Sequence, residues 1–129
     1  MKILLVMDQF YNANNGTAIS AQRFAEGLMK NGNEIRTLSI GKSTNINYSV
    51  HPKSYGFIAD KIINAQDMKL AKPDYNVIKE ALSWCELVHF YMPFSLSRGT
   101  MKIAKEMNKS MTAAFHVQPE NISYNIGLR

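Results

Sequence analysis

A chain of 129 residues with 46% hydrophobic and 19% charged residues can bury one core and is short for a two-domain enzyme. Its net charge of +5 favours an anionic partner, either a small phosphorylated molecule or an acidic lipid surface. The fifteen Lys and Arg are scattered, with no run and no stripe interleaved with aromatics, so nucleic acid is not the expected partner. The apolar start is broken at Asp8, and no stretch approaches the roughly 20 apolar residues of a membrane span. The expected compartment is the cytoplasm, with peripheral contact at the inner face of a membrane left open.

Taken in chain order, Lys2 to Met7 is a short continuous apolar run, the pattern of a strand buried on both faces in a parallel sheet. A turn-rich segment follows, and Thr17 is the expected N-cap of a helix with Ala21, Phe24, Ala25 and Leu28 on one side. Asn31 and Gly32 supply its stop. Glu34 to Ile40 sets Ile35, Thr37 and Ser39 against Arg36, Leu38 and Ile40 and predicts a second strand, which completes a βαβ unit. The stretch after Gly41 is loop-like, with a short strand at Asn47 to Val50, and residues 57 to 70 predict a helix carrying Ile58, Ile62 and Ala65.

Pro73 and Asp74 open a further helix with Val77, Ile78, Ala81, Leu82 and Cys85 on one face. Cys85, the single cysteine, reads as a small buried hydrophobe. Glu86 to Met92 predicts a strand, Ser95 or Ser97 begins a helix with Leu96, Thr100, Ile103, Ala104 and Met107 inward, and Ser110 to Phe115 predicts the last strand. Lys102, Lys105 and Lys109 are expected on a solvated face. This alternation of β and α predicts a Rossmann-like α/β fold, three layers with a mostly parallel sheet. Ligands then bind beyond the carboxyl ends of the strands where strand order reverses, which gathers residues 8–17, 91–98 and 116–126 at one edge.

Within those segments, Gly16 directly precedes a helix, where a missing Cβ and free amides suit the approach of an anion. A loop glycine with positive φ is the alternative. The glycine fingerprints of dinucleotide and P-loop sites are absent. His51, His89 and His116 are too far apart for a local metal motif and no Asp-x-Asp pair occurs, so neither a metal nor a cofactor is expected. His89, inside an apolar strand, reads first as a structural histidine bonded to the backbone. His116 stands where a strand ends, followed by Gln118, Glu120 and Asn121, and suits a hydrogen bond to a substrate. The helix expected over residues 57 to 70 carries Lys61 and Lys69 among apolar residues, and packing on the sheet is favoured over lying on a membrane.

Three stretches, Met1 to Gly41, Cys85 to Asn108 and Thr112 to Leu128, together resemble the N-terminal half of a family 4 glycosyltransferase of the GT-B fold. The loop with Phe115 and His116 is similar to that of bacterial members that build capsular polysaccharides or glycolipids. The resemblance implies one incomplete half of a GT-B fold, an acceptor-side domain over residues 1–129 whose nucleotide-sugar-binding partner domain is not matched. It implies sugar transfer from a nucleotide-sugar donor to a glycan or lipid-linked acceptor with retention of configuration and without a metal. By the same resemblance, Gly16 lies against the donor phosphate and acceptor and His116, the catalytic candidate, contacts the transferred sugar near the reacting centre. Asn15, Thr17, Glu120 and Asn121 beside them are further candidates for substrate binding, with His89, Arg98 and Gln118 as candidate supports. A stand-alone anion-binding module, or one subunit of a split two-chain glycosyltransferase, are the alternatives.

Overall fold

The computed structural model describes residues 1–12, 16–54 and 69–114. Strand β1 (Lys2–Val6) is followed by helix α1 (Gly16–Lys30), strands β2 (Glu34–Ile40) and β3 (Asn47–Val50), helix α2 (Tyr75–Trp84), strand β4 (Leu87–Phe90), helix α3 (Ser95–Glu106) and strand β5 (Ser110–Ala113). The strands make one sheet in the order β3-β2-β1-β4-β5, and every pairing is parallel. This is the Rossmann-like architecture, with helices on both faces. No helix among the described residues is long and apolar enough to cross a membrane.

Alternation along β1 divides the core in two. Leu4 and Val6 face one side, where they join Leu38, Val88, Phe90 and the inward faces of α2 and α3. Ile3 and Leu5, with Met7 beyond the strand, face the other side and meet Ala18, Ala21 and Ala25 of α1. A helix that buries alanines can lie close to a sheet, since each side chain extends only one carbon. The larger Phe24 is displaced to the flank of α1, where it is 40% exposed and rests on the His89 ring at 5.0 Å between centroids. The helix pattern expected Phe24 in the buried row; the alanines occupy that row instead.

Helix ends follow local chemistry. After α1, Gly32 takes φ 89°, the Asn33 amide bonds the Leu28 carbonyl at 3.1 Å and the Gly32 amide bonds Met29 at 3.0 Å, which is a Schellman stop. Asn108, at φ 56°, closes α3 in the same way, with amide bonds from Lys109 to Ala104 and from Asn108 to Lys105. Asp74 caps α2 by accepting from the Asn76 and Val77 amides, so Pro73 stands before the cap and not in the first turn. Thr17 is the second residue of α1 and not its cap, a position that falls outside the described residues. Neither Ser95 nor Ser97 caps α3, whose cap residue Phe94 offers no side-chain bond. Ser97 instead donates to the Met92 carbonyl.

The helix expected over residues 57 to 70 lies almost wholly outside the described residues. Its flanks are paired: Pro52 bridges Ala71 antiparallel, with Lys53 N to Leu70 O and Lys72 N to His51 O both at 2.7 Å. Lys102 and Lys105 are exposed, as expected of a solvated face. Lys109 departs from that reading, because it is half-buried and donates to the Cys85 carbonyl at 2.9 Å, bonding the end of α2. Cys85 itself is buried, and burial pushes its thiol up, away from the reactive thiolate.

Asp74→Ala removes the acceptor for two α2 amides and is expected to lower stability by about 1 kcal/mol. Urea unfolding of the two proteins measures the difference, and an unchanged midpoint would show that water replaces the cap at no cost.

Candidate functional site

The sheet order reverses at β1, with β2 and β3 on one side of it and β4 and β5 on the other. The carboxyl ends of β1 and β4 therefore lie side by side, and the chains leaving them diverge, which opens a crevice in this class of sheet. The chain leaving β1 is held by polar side chains of β2 that the strand pattern alone did not explain. Ser39 Oγ accepts the Phe10 amide at 3.0 Å and donates to the Asp8 carbonyl at 3.1 Å. Thr37 Oγ1 lies 2.7 Å from the Tyr11 hydroxyl and 2.7 Å from Asn47 Oδ1, while Gln22 of α1 donates to the Phe10 carbonyl at 2.7 Å. Thr37, Ser39 and Asn47 are buried because each satisfies a loop or strand partner, as buried polar groups must.

That anchoring places Asp8 at the crevice. The residue is only 4% exposed, and its Oδ2 accepts the Ala71 amide at 2.6 Å. Its Oδ1 is buried and has no hydrogen-bond partner among the described residues. Loss of solvent pushes its carboxyl from 3.8 up to about 6, against the opposing pull of the Ala71 amide and the Lys53 charge. Lys53 Nζ is itself held, donating to Ser95 Oγ at 2.5 Å at the start of α3.

Beside Asp8 a cleft of about 150 Å³ is lined by Met7, Asp8, Gln9, Thr17, Lys69, Leu70, Met92 and Phe94. The starts of α1 and α3, the tips of β1 and β4, and the segment that reaches Ala71 all contribute to it. Gln9 Oε1 accepts the Lys69 amide at 3.1 Å and fixes the far wall. The lining is mixed, with thioether and phenyl surface on one part and a carboxylate, an amide and a hydroxyl on another.

The expected site residues divide as follows. Thr17 lines the cleft, and Gly16 begins α1 next to it, exposed, with nothing within 4 Å of where a Cβ would stand. Gly16 is not at positive φ, so backbone strain is not what the glycine relieves. His89 is away from this lining: it pairs with Leu5 and Thr112 in the sheet. Its Nδ1 lies 2.7 Å from Thr112 Oγ1, a side-chain partner where a backbone one was expected. Its Nε2 is buried without a partner among the described residues, and burial holds the imidazole below its ordinary pKa, towards the neutral form. Arg98 lines a second, larger hollow of about 660 Å³ between α3 and β5, with Phe90, Met101, Lys102, Lys105 and Met111. Asn15, His116, Gln118, Glu120 and Asn121 lie outside the described residues, so the expected meeting of Gly16 and His116 does too.

Asp8 and Lys53 are the residues that sequence reasoning missed. The signal was present for Asp8: a charged residue directly after a fully apolar run sits at a strand's carboxyl end. Lys53 carried no such signal, because its position depends on the long-range pairing of residues 51–54 with 69–72. In comparisons with known proteins, no protein-family model matches the chain and no curated protein matches it.

A carboxyl whose folded pKa is raised contributes stability that is present at low pH and lost as pH rises through the folded value. For Asp8 the window runs from 3.8 to about 6, and the loss is on the order of 3 kcal/mol. Asp8→Asn removes this component. The unfolding free energy of the variant relative to the native protein should rise by that order between pH 3.5 and pH 7, measured by urea denaturation; a pH-independent difference would place Asp8 in water.

Proposed function

We propose that this chain is the acceptor-side, Rossmann-like half of a retaining glycosyltransferase resembling family 4, transferring a sugar from a nucleotide-sugar to a glycan or lipid-linked acceptor. The observation that carries the reading is the crevice between the β1 and β4 tips, rimmed by the start of α1, where Gly16 leaves the backbone open. Its mixed lining suits a sugar, which has apolar C–H faces and hydroxyl edges. On this reading the α1 amides meet the anionic part of the ligand, Thr17 contacts it from the cleft wall, and His116, with Gln118, Glu120 and Asn121, closes the acceptor side.

In the reaction, the bond from the anomeric carbon to the nucleotide diphosphate breaks as a bond to the acceptor oxygen forms, and the acceptor's proton passes to the departing diphosphate. The charge that builds on the departing diphosphate must be met by preorganised donors, and the resemblance assigns these to the partner domain. Residues 1–129 therefore supply acceptor binding and orientation, and by themselves transfer no sugar. The positive net charge agrees with attraction to phosphorylated substrates and to the cytoplasmic face of a membrane bearing a lipid-linked acceptor.

Titration of the 129-residue chain with nucleotide-sugars, sugar phosphates and lipid-linked acceptors, followed by amide NMR, should shift Gly16, Thr17 and their neighbours. An interaction module without a sugar ligand leaves them unmoved. Gly16→Ala should retain the stability of the parent, because the added methyl meets nothing and reduces unfolded-chain freedom, yet weaken this binding several-fold. Equal affinity in the two proteins would remove the backbone of Gly16 from the site.

A further inference from the structure

We propose that the outer edge of β5 and the hollow beneath it bind an extended acidic segment of another polypeptide, which pairs with β5 and sets carboxylates against Arg98, Lys102 and Lys105. The inference is independent of the glycosyltransferase reading and concerns a different part of the molecule.

The main chain of β5 shows what is unpaired. The Ala114 amide bonds the Phe90 carbonyl of β4 at 3.0 Å, and successive residues of a strand direct their N–H and C=O groups to opposite sides. Thr112 therefore faces β4, whereas Met111 and Ala113 direct their amides and carbonyls away from it, where no described strand stands. Such groups on a sheet edge are able to take up an added strand. Met111 and Ala113 also line the hollow of about 660 Å³ between β5 and α3, and Met111 is 42% exposed. Alternate side chains of an added strand thus meet a surface of Phe90, Met101 and Met111.

Charge selects the partner. Arg98, Lys102 and Lys105 line this hollow, and no carboxylate is among the described residues that do. Along α3 these three cations are separated by a rise of about 6 Å and then about 4.5 Å, while alternate residues of an extended chain repeat every ~6.6 Å. A segment with an acidic residue two positions to either side of an apolar one matches that row in spacing as well as in sign. A second copy of the chain fits less well. Two-fold pairing of β5 with β5 would bring two rows of the same cations onto one face of the joined sheet, between chains that each carry +5. Residues 115–129 hold one acidic side chain, Glu120, against the guanidinium of Arg129, a poor complement to three cations.

The test titrates the 129-residue chain with the capped peptide Thr-Glu-Thr-Ile-Thr-Glu-Thr, followed by amide NMR and hydrogen exchange. In the free chain the Met111 and Ala113 amides should exchange fast and the Thr112 amide slowly, and saturating peptide should slow the first two. Replacing both Lys102→Glu and Lys105→Glu, at exposed positions, should weaken binding about tenfold, and added salt should weaken it in the wild type. N-methylation of one alternate set of peptide amides should abolish binding, and of the other set should not. Absence of binding, equal binding of a peptide with Lys at both Glu positions, or binding that leaves Met111 and Ala113 fast overturns the proposal. So does slow exchange of those amides in the free chain, which would mean that the chain's own residues or a second copy already cover the edge. Laurate that shifts Met101 and Met111 where the peptide does not would assign the hollow to an anionic amphiphile instead. None of these outcomes bears on ligand binding at Gly16.

Discussion

The structure depends on one strand. β1 is the central strand, where the two halves of the described sheet meet, and it satisfies its backbone against β2 on one side and β4 on the other. It can do so only because Ile3, Leu4, Leu5 and Val6 carry apolar side chains to both faces and are all buried. Every ligand-directed feature inherits its position from this. The reversal of strand order occurs here, and the first residues beyond the apolar run, Met7 and Asp8, emerge at the crevice.

A second constraint turns that strand end into a defined surface. Loops leaving a parallel sheet are irregular, so their amides and carbonyls need partners that the ladder does not supply. Here Ser39 of β2 supplies them from the side for Phe10 and Asp8, and the Asp8 carboxylate in turn accepts the Ala71 amide. These bonds link three parts of the chain far apart in sequence at the cleft wall. Burying Asp8 is costly, and the cost falls on the group at the strand tip. Sites that bind ligands commonly retain such locally unfavourable groups.

The fold was legible in the sequence because its signals are local. Apolar runs of strand length, a row of inward alanines and aliphatics at helical spacing, and the Asn31-Gly32 and Asp74 boundaries each act within a few residues. The details that differed are the helix starts, where Thr17, Ser95 and Ser97 are not the caps, and the partners of single side chains. Alanines of α1 took the contact with the sheet that Phe24 also matched by spacing, and Lys109, one turn beyond two solvated lysines, found a carbonyl to bond. The site was less legible. The positions of Gly16 at the start of α1 and of Thr17 at the cleft were readable because a helix start after the first strand is a positional rule of this architecture. Asp8 was passed over as the end of an apolar run, since burial and the absence of a second partner are properties of the folded chain. Thr37 and Ser39 looked like ordinary strand alternation, and only the folded loop shows what their hydroxyls hold.

β5 shows what the sheet leaves open. All four of its residues, Ser110 to Ala113, are exposed, and among the described strands it pairs with β4 alone. A parallel sheet ordinarily has both faces covered, so this margin differs in kind from the rest of the molecule. Its outer main-chain groups form a template with a fixed direction, and the neighbouring hollow carries methionines beneath a fringe of lysine and arginine. An extended segment that joined there would lengthen the sheet by one strand, meeting the amides and carbonyls of β5 that no described strand reaches.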